Sequence, residues 1–317
     1  MRRIPLWWTL LPLAFGLAAY WHLWSGYRDT FRADIVRLLP GATVTIGGFP
    51  YRMEAEVAAP VLGRSGDVLV SLAAAHATLN RGPWQRELTV IRTVAPRVTV
   101  SFAPLARASA RIEADLGLSS LHIGDGRVVR LSNVFSRARI GTGLFDAAIT
   151  ADRFEVHLRQ TPARSNESWS PTPPQQAQMV LVGTAVRIGN GAPLTLNADI
   201  AVTAIAPLSS LAAWTEGGTV EIRSLVLADP SGEVVRLAAS AVPAAGQLRL
   251  AGTITTVCPA TVRAAFDHRP APRESRLRLP VRLAFSGSPG MVVLQPAATS
   301  GDIRSVRAQL PPCPALR

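Results

Sequence analysis

The chain has 317 residues and a formal net charge of +12, from 33 basic and 21 acidic side chains, and every one of the basic residues is arginine. That charge admits nucleic acid, anionic lipid or acidic glycan as partner, so it selects nothing until the compartment is known. The length beyond residue 41 suffices for two ordinary domains or one long repetitive one. The two cysteines form no C-x-x-C pair, which argues against a redox enzyme.

Residues 4–24 contain no formally charged side chain and follow Arg2 and Arg3. At about 1.5 Å per residue, that run reaches roughly 31 Å as a helix, about a bilayer's hydrocarbon thickness. Trp7 and Trp8 at one end, with Trp21 and Trp24 at the other, have the placing of aromatic belts. A cleaved signal would have a shorter core, with Gly16-Leu17-Ala18 as its site and Ala19 as the new start. The apolar run continues past that site, which favours an uncleaved single-span anchor. Arg2 and Arg3 place the N-terminus in the cytoplasm and the bulk in the periplasm of a bacterial inner membrane. Export removes most nucleic-acid readings and leaves membrane lipid, with envelope proteins as further partners.

Tyr27, Phe31, Ile35, Leu38 and Leu39 then recur at helical steps, and Pro40-Gly41 stops them. This predicts an amphipathic helix packed on the first strands or lying at the membrane surface. From residue 42 the period changes to two, beginning with Thr43 to Ile46 and Tyr51 to Val57. Further strands are predicted over 87–93, 97–102, 127–131, 135–140 and 147–158. After these come 178–188, 194–205, 219–227, 233–239, 247–256 and 276–285. Turn signals such as Gly124-Asp125-Gly126 and Gly189-Asn190-Gly191 separate them and imply hairpins.

Thr161 to Gln176 is Pro/Ser-rich and aperiodic, so it reads as a linker. The resulting division is an N-terminal unit over 1–41, a β region over 42–160, the linker over 161–176 and a second β region over 177–317. Short helices fit only 207–215 and 259–267. The expected fold is mainly β: a membrane helix followed by an elongated, curved, largely antiparallel sheet with few short helices.

No residues assemble into a recognisable catalytic or metal motif. His22, His76, His122, His157 and His268 are scattered, and no pair of carboxylates is placed for acid/base work. The reading is therefore of a protein without catalytic residues, cofactor or metal. Arg276, Arg278 and Arg282 alternate with Leu277, Leu279 and Val281, and Pro280 lies among them. Two readings compete: a charged, Pro-protected edge strand, and an anion-facing lip beside an apolar surface. Cys258 and Cys313 form the one available disulfide, and whether they pair is open at this stage.

Gly48-Phe49-Pro50-Tyr51-Arg52, shortly downstream of the N-terminal helix, resembles the G-aromatic-P-aromatic-R motif of a bacterial family, domain of unknown function 2125. The later rhythm around Val234 to Ser240 and Gly246 to Gly252 is also similar to envelope proteins of the AsmA type. That similarity implies a β trough linked to lipid traffic. The family carries no assigned catalytic residues. In its own right, the motif makes a structural corner at the membrane end of the sheet or a lipid-contacting gate. The function expected from all this is non-enzymatic binding of lipid or another amphiphile in envelope maintenance. The alternatives are an anchored hydrolase and a protein-interaction scaffold. Oligomeric state is not legible.

Overall fold

The computed structural model describes residues 8, 10–66, 68–85, 87–102, 109–143, 145–161, 174–204, 214–244, 246–288, 291–295 and 310–317. Arg2, Arg3, Trp7, most of the expected linker and residues 207–213 of the helix expected over 207–215 lie outside them. Among the described residues the fold is mainly β: one large, open, antiparallel sheet of eighteen strands, with the helices α1 (Leu11–Leu38) and α2 (Pro259–Phe266).

α1 takes 28 residues and ends at Leu38, just before Pro40-Gly41. Its second half buries Trp24, Phe31 and Ile35 against Val44, Met53, Ala55, Val57 and Ala77 of the first strands. Among the described residues no helix is long and apolar enough to cross a membrane. Tyr20, Trp21, His22 and Trp24 lower the hydropathy of the described part of the uncharged run, and charges begin at Arg28. Trp24, expected in an aromatic belt, is instead 3% exposed and part of the protein core. From residue 11 to residue 19 every side chain of α1 is exposed.

β1 (Val44–Gly47) and β2 (Met53–Ala58) form the first hairpin. The next strands come as kinked pairs along the chain. β2 runs on into β3 (Val61–Arg64), and β4 (Val68–Ala73) into β5 (His76–Arg81). In the same way β6 (Leu88–Val94) continues into β7 (Arg97–Phe102), and β8 (Ser109–Glu113) into β9 (Leu116–Gly124). β2 pairs with β5, β5 with β6, and β6 with β9 on one side of the kinks. β3 pairs with β4, β4 with β7, and β7 with β8 on the other. The long strand β10 (Arg127–Thr142) spans both sides, pairing with β9 and then β8.

The kinks fall on one line. Ala59, Ala95, Arg137 and Ala185 carry φ of 43°, 49°, 50° and 51°, one on every second strand. At Ala59, Ala95 and Arg137 the pairing register is the same on both sides, so the strand kinks there without an inserted residue. Ala185 alone lies at a one-residue shift, with Gly183 facing Leu196 and Val186 facing Leu194, and such a bulge bends the strand and raises its twist. Backbone bonds keep the ladder continuous across the line, from Ala59 to Ala75 (3.0 Å), Ala75 to Val94 (2.9 Å), Ala95 to Asp115 (2.8 Å) and Asp115 to Ser136 (3.1 Å). Pro60 and Pro96 follow two of these residues, where a missing N–H is tolerated.

From β10 the sheet is a plain meander through β11 (Phe145–Gln160), β12 (Gln175–Ile188), β13 (Leu194–Thr203), β14 (Thr219–Asp229), β15 (Gly232–Ala244), β16 (Gln247–Thr256), β17 (Val281–Ser288) and β18 (Met291–Leu294). The segments expected over 127–131 and 135–140 are a single strand. Gln175 and Gln176, expected in the linker, open β12. Because β11 and β12 are partnered along ten positions, the sheet continues past the linker without a break.

The strand expected over 276–285 begins only at Val281. Ahead of it the chain's end holds residues 274–276: Arg276 N–H donates to Pro311 at 3.1 Å, and Cys313 N–H donates to Glu274 at 2.8 Å, while Leu277 N–H donates to Val257 at 2.8 Å. Cys258 and Cys313 are disulfide-bonded, so the C-terminal tail is tied to the start of α2. Leu316 of that tail and Val262 of α2 are buried in the main core with Phe135, Phe154, Leu196, Ile254 and Leu283.

Candidate functional site

Alternation gives the sheet two faces, and register shows which residues line each. On the face carrying α1 and α2, three rows cross the strands side by side. The floor row runs Val57, Ala77, Thr93, Gly117, Phe135, Phe154, Gly183, Leu196, Leu227, Val235 and Thr256. All of these are buried. Two glycines make this possible: a Cβ at Gly117 would lie 2.5 Å from the Thr93 hydroxyl oxygen, and one at Gly183 would lie 2.5 Å from the Val186 side chain.

The second row runs Leu79, Ile91, Ser119, Asn133, Val156, Leu181, and these six are half-buried. The rim row runs Leu121, Leu131, Leu158, Met179, Ile200, Ile222. Leu158 is the most open of them, at 37% exposed. The floor is buried, while the second and rim rows are half-buried apart from Leu158 and from Ile200, which is 7% exposed; coverage is thinnest at Leu158 on β11. Towards β2 the face is closed by α1. There Arg81 stacks over Phe31 at 4.6 Å and meets Asp34 at 3.6 Å. Burial pulls the Arg81 guanidinium below its usual pKa, with the Asp34 carboxylate opposing that shift. Towards β16 the face is closed by α2 and the C-terminal tail.

The opposite face carries most of the charge, in local pairs. Arg52–Glu54 (2.7 Å), Arg111–Glu113 (2.5 Å) and Arg153–Glu155 (2.7 Å) are examples. The Arg153 hydrogen bond lowers the pKa of Glu155 against the opposing effect of burial, with His157 contributing less. This face also exposes Val94 directly beside Leu116, with Leu118 on the same strand. His122 meets Glu87 at 3.2 Å and His157 meets Glu155 at 3.0 Å, both on this face. Among the described residues, no three His, Cys, Asp or Glu side chains are grouped as a metal shell.

The aromatic-Pro motif is a docking joint. Phe49 stands edge-on to Trp21 (4.8 Å between centroids) and to Trp24 (5.3 Å), and it also meets Tyr20 at 5.8 Å. The Tyr20 hydroxyl donates to the Pro50 carbonyl. Gly48 turns the chain at φ 96°, where a Cβ would lie 2.6 Å from the Arg52 carbonyl oxygen. Tyr51 takes no part in this packing and is 86% exposed. Trp84, in the turn between β5 and β6, is a residue that sequence reasoning passed over. It lies against Tyr20 and Tyr27 of α1, at 6.3 and 6.1 Å, yet stays 68% exposed.

The three arginines expected as a lip separate. Arg276 is 7% exposed and paired with the Asp229 carboxylate at the end of β14, so it faces no solvent anion. Arg278 and Arg282 are exposed, the first in the segment ahead of β17 and the second on β17. The alternation around Leu277 imitates a strand, but the tail's hydrogen bonds and Pro280 keep that stretch out of the sheet.

With this architecture in view, the chain can be placed in a protein family. Its residues 41–276 match the family described as "Uncharacterized protein conserved in bacteria (DUF2125)", and the chain is a member of it. The matched span covers the first hairpin through Arg276 and includes the Gly48–Arg52 side of the docking joint, while Tyr20, Trp21 and Trp24 of α1 precede it. No curated protein and no solved structure matches the chain.

Proposed function

We propose that this protein is a non-enzymatic, membrane-anchored periplasmic protein that holds the acyl chain of a phospholipid or similar amphiphile along the α1-bearing face of a curved sheet. The observation that carries this reading is the incomplete cover over the two rows beside the buried floor, which are half-buried and open furthest at Leu158. A sheet face this apolar needs a cover, and acyl chains provide one. The exposed apolar surface of α1 from Leu11 to Ala19, continuing the uncharged run that starts at Ile4, supports bilayer insertion. Arg2 and Arg3 support an N-in orientation.

The test uses the full chain in detergent, its co-purifying lipid read by mass spectrometry and its binding of a fluorescent phospholipid measured directly. Leu131→Arg with Leu158→Arg should abolish binding. Ser132→Arg with His157→Arg, on the opposite face of the same strands, should leave it intact. Equal binding by both pairs would reject the reading.

A scaffold for envelope proteins is the second reading, and the exposed Val94, Leu116 and Leu118 favour it. Chemical crosslinking through those three positions, with the inner face unaltered, separates the two.

A further inference from the structure

α1 is uncovered from residue 11 to residue 19 and first touches the body of the protein at Tyr20. The first formal charge of its described part is Arg28, about 12 Å further along the helix. Between these two levels lies a collar of aromatic side chains from three separate elements: Tyr20 and Trp21 on α1, Phe49 and Tyr51 on the β1–β2 turn, and Trp84 on the β5–β6 turn. Phe49 is consumed by packing. Tyr51 is 86% exposed, and Trp84, although it meets Tyr20 and Tyr27, is still 68% exposed. Ordinary surface turns have little use for an exposed indole and phenol. A ring with an apolar body and a polar edge is at its free-energy minimum in the headgroup layer of a bilayer. The collar occurs where an apolar helix gives way to charge, the level at which such a layer would lie.

We propose that Tyr51 and Trp84 form a bilayer-docking surface, inserted in the phospholipid headgroup layer, which stands the sheet on the membrane by its β1–β2 and β5–β6 turns. This rests on the anchoring half of the proposed function but not on acyl-chain binding by the sheet. The joint at Phe49 then acquires a purpose: it couples the direction of α1 to the two turns, so that inserting the helix presses both rings to the surface. The occupant is lipid rather than protein because both rings adjoin the emergence of α1, where a bilayer would already be in reach.

The experiment is depth measurement by spin labelling of the full chain in vesicles of phosphatidylethanolamine and phosphatidylglycerol. Single labels go on Leu13→Cys, Tyr51→Cys, Trp84→Cys and Leu279→Cys, and the native cysteines stay disulfide-bonded. Leu279, 74% exposed, is the aqueous control, ahead of β17 and roughly ten strand pairings from β5. Labels at 51 and 84 should show an oxygen-to-nickel collision ratio several-fold above that at 279, and below that at 13. Gln85→Cys serves as a second probe of the same turn if the label at 84 disturbs the fold. Ratios at 51, 84 and 85 equal to that at 279, with 13 in hydrocarbon, would overturn this inference alone. A water-like ratio at 13 would overturn it together with the anchoring reading.

Discussion

Trp24 of α1 meets Phe49 of the β1–β2 turn edge-on, their ring centroids 5.3 Å apart. Trp21 and Tyr20 reach the same Phe49 ring, so one side chain of the turn holds three of the helix. Edge-to-face pairs add about 0.5–1.5 kcal/mol each beyond the area they bury.

Phe49→Ala should therefore destabilise the docking of α1 by roughly 3 kcal/mol. Limited proteolysis is the readout: cleavage near Pro40-Gly41 should accelerate while the sheet from β10 onward stays resistant. Unchanged cleavage would show that α1 is held by Phe31 and Ile35 alone. Gly48→Ala should act in the same direction, because the added Cβ would lie 2.6 Å from the Arg52 carbonyl oxygen at a φ that L side chains avoid.

Arg276 and Asp229 make a second prediction. Replacing Arg276 with glutamate would put two carboxylates where the side chains are 7% and 15% exposed. Breaking such a pair costs about 3–5 kcal/mol. Arg278→Glu and Arg282→Glu, at exposed positions, should each stay within about 0.5 kcal/mol of wild type. Urea titration of the three variants checks this. Phospholipid binding that fell in the 278 and 282 variants while their urea midpoints held would restore an anion-facing role to those two arginines.

The disulfide closes 55 residues of chain and fastens the tail over α2. In the chain-entropy model that loop is worth about 4 kcal/mol. Cys313→Ser should lose most of it, and the fluorescence of a probe near Leu316 should report the tail's release. Alkylation of the wild type under denaturing, non-reducing conditions should label neither cysteine.

The alternation was legible wherever a strand ran unbroken, which is why β11 to β16 match the sequence reading closely. It was weaker along the line of kinks. Ala59-Pro60 and Ala95-Pro96 look like terminators in a sequence, yet here they pass the chain from one half of a kinked strand to the next. β3, β4, β5, β8 and β9 were not read from the sequence, although β2, β6 and β7 beside the same kinks were. The rows of the candidate site follow from register, and register is set by the lengths of turns that alternation does not reveal. Arg276 was misread for a related reason: its partner Asp229 is 47 residues away in sequence. Trp24 was misread because a tryptophan at the end of an apolar run has the same signature in a belt and in a core.

The last prediction separates what the groove needs for folding from what it presents. Phe154 and Leu158 lie on the same strand and face, four residues apart. Phe154 is 6% exposed on the floor row, while Leu158 is 37% exposed on the rim. Phe154→Ala should cost about 3–5 kcal/mol, since the surrounding Phe135, Gly183 and Leu196 cannot collapse into the space without bending the ladder. Leu158→Ala removes fewer contacts and should cost about 1 kcal/mol. If the face holds an acyl chain, the order reverses under saturating lipid. Leu158→Ala should then show a clear loss of lipid-induced stabilisation, because a ligand stabilises only in proportion to its affinity for the folded state. Thermal unfolding of both variants, with and without added phospholipid, gives the four values required. Equal lipid-induced shifts in Leu158→Ala and wild type would mean that nothing binds across the rim, and would leave the exposed face of Val94 and Leu116 as the surface to pursue.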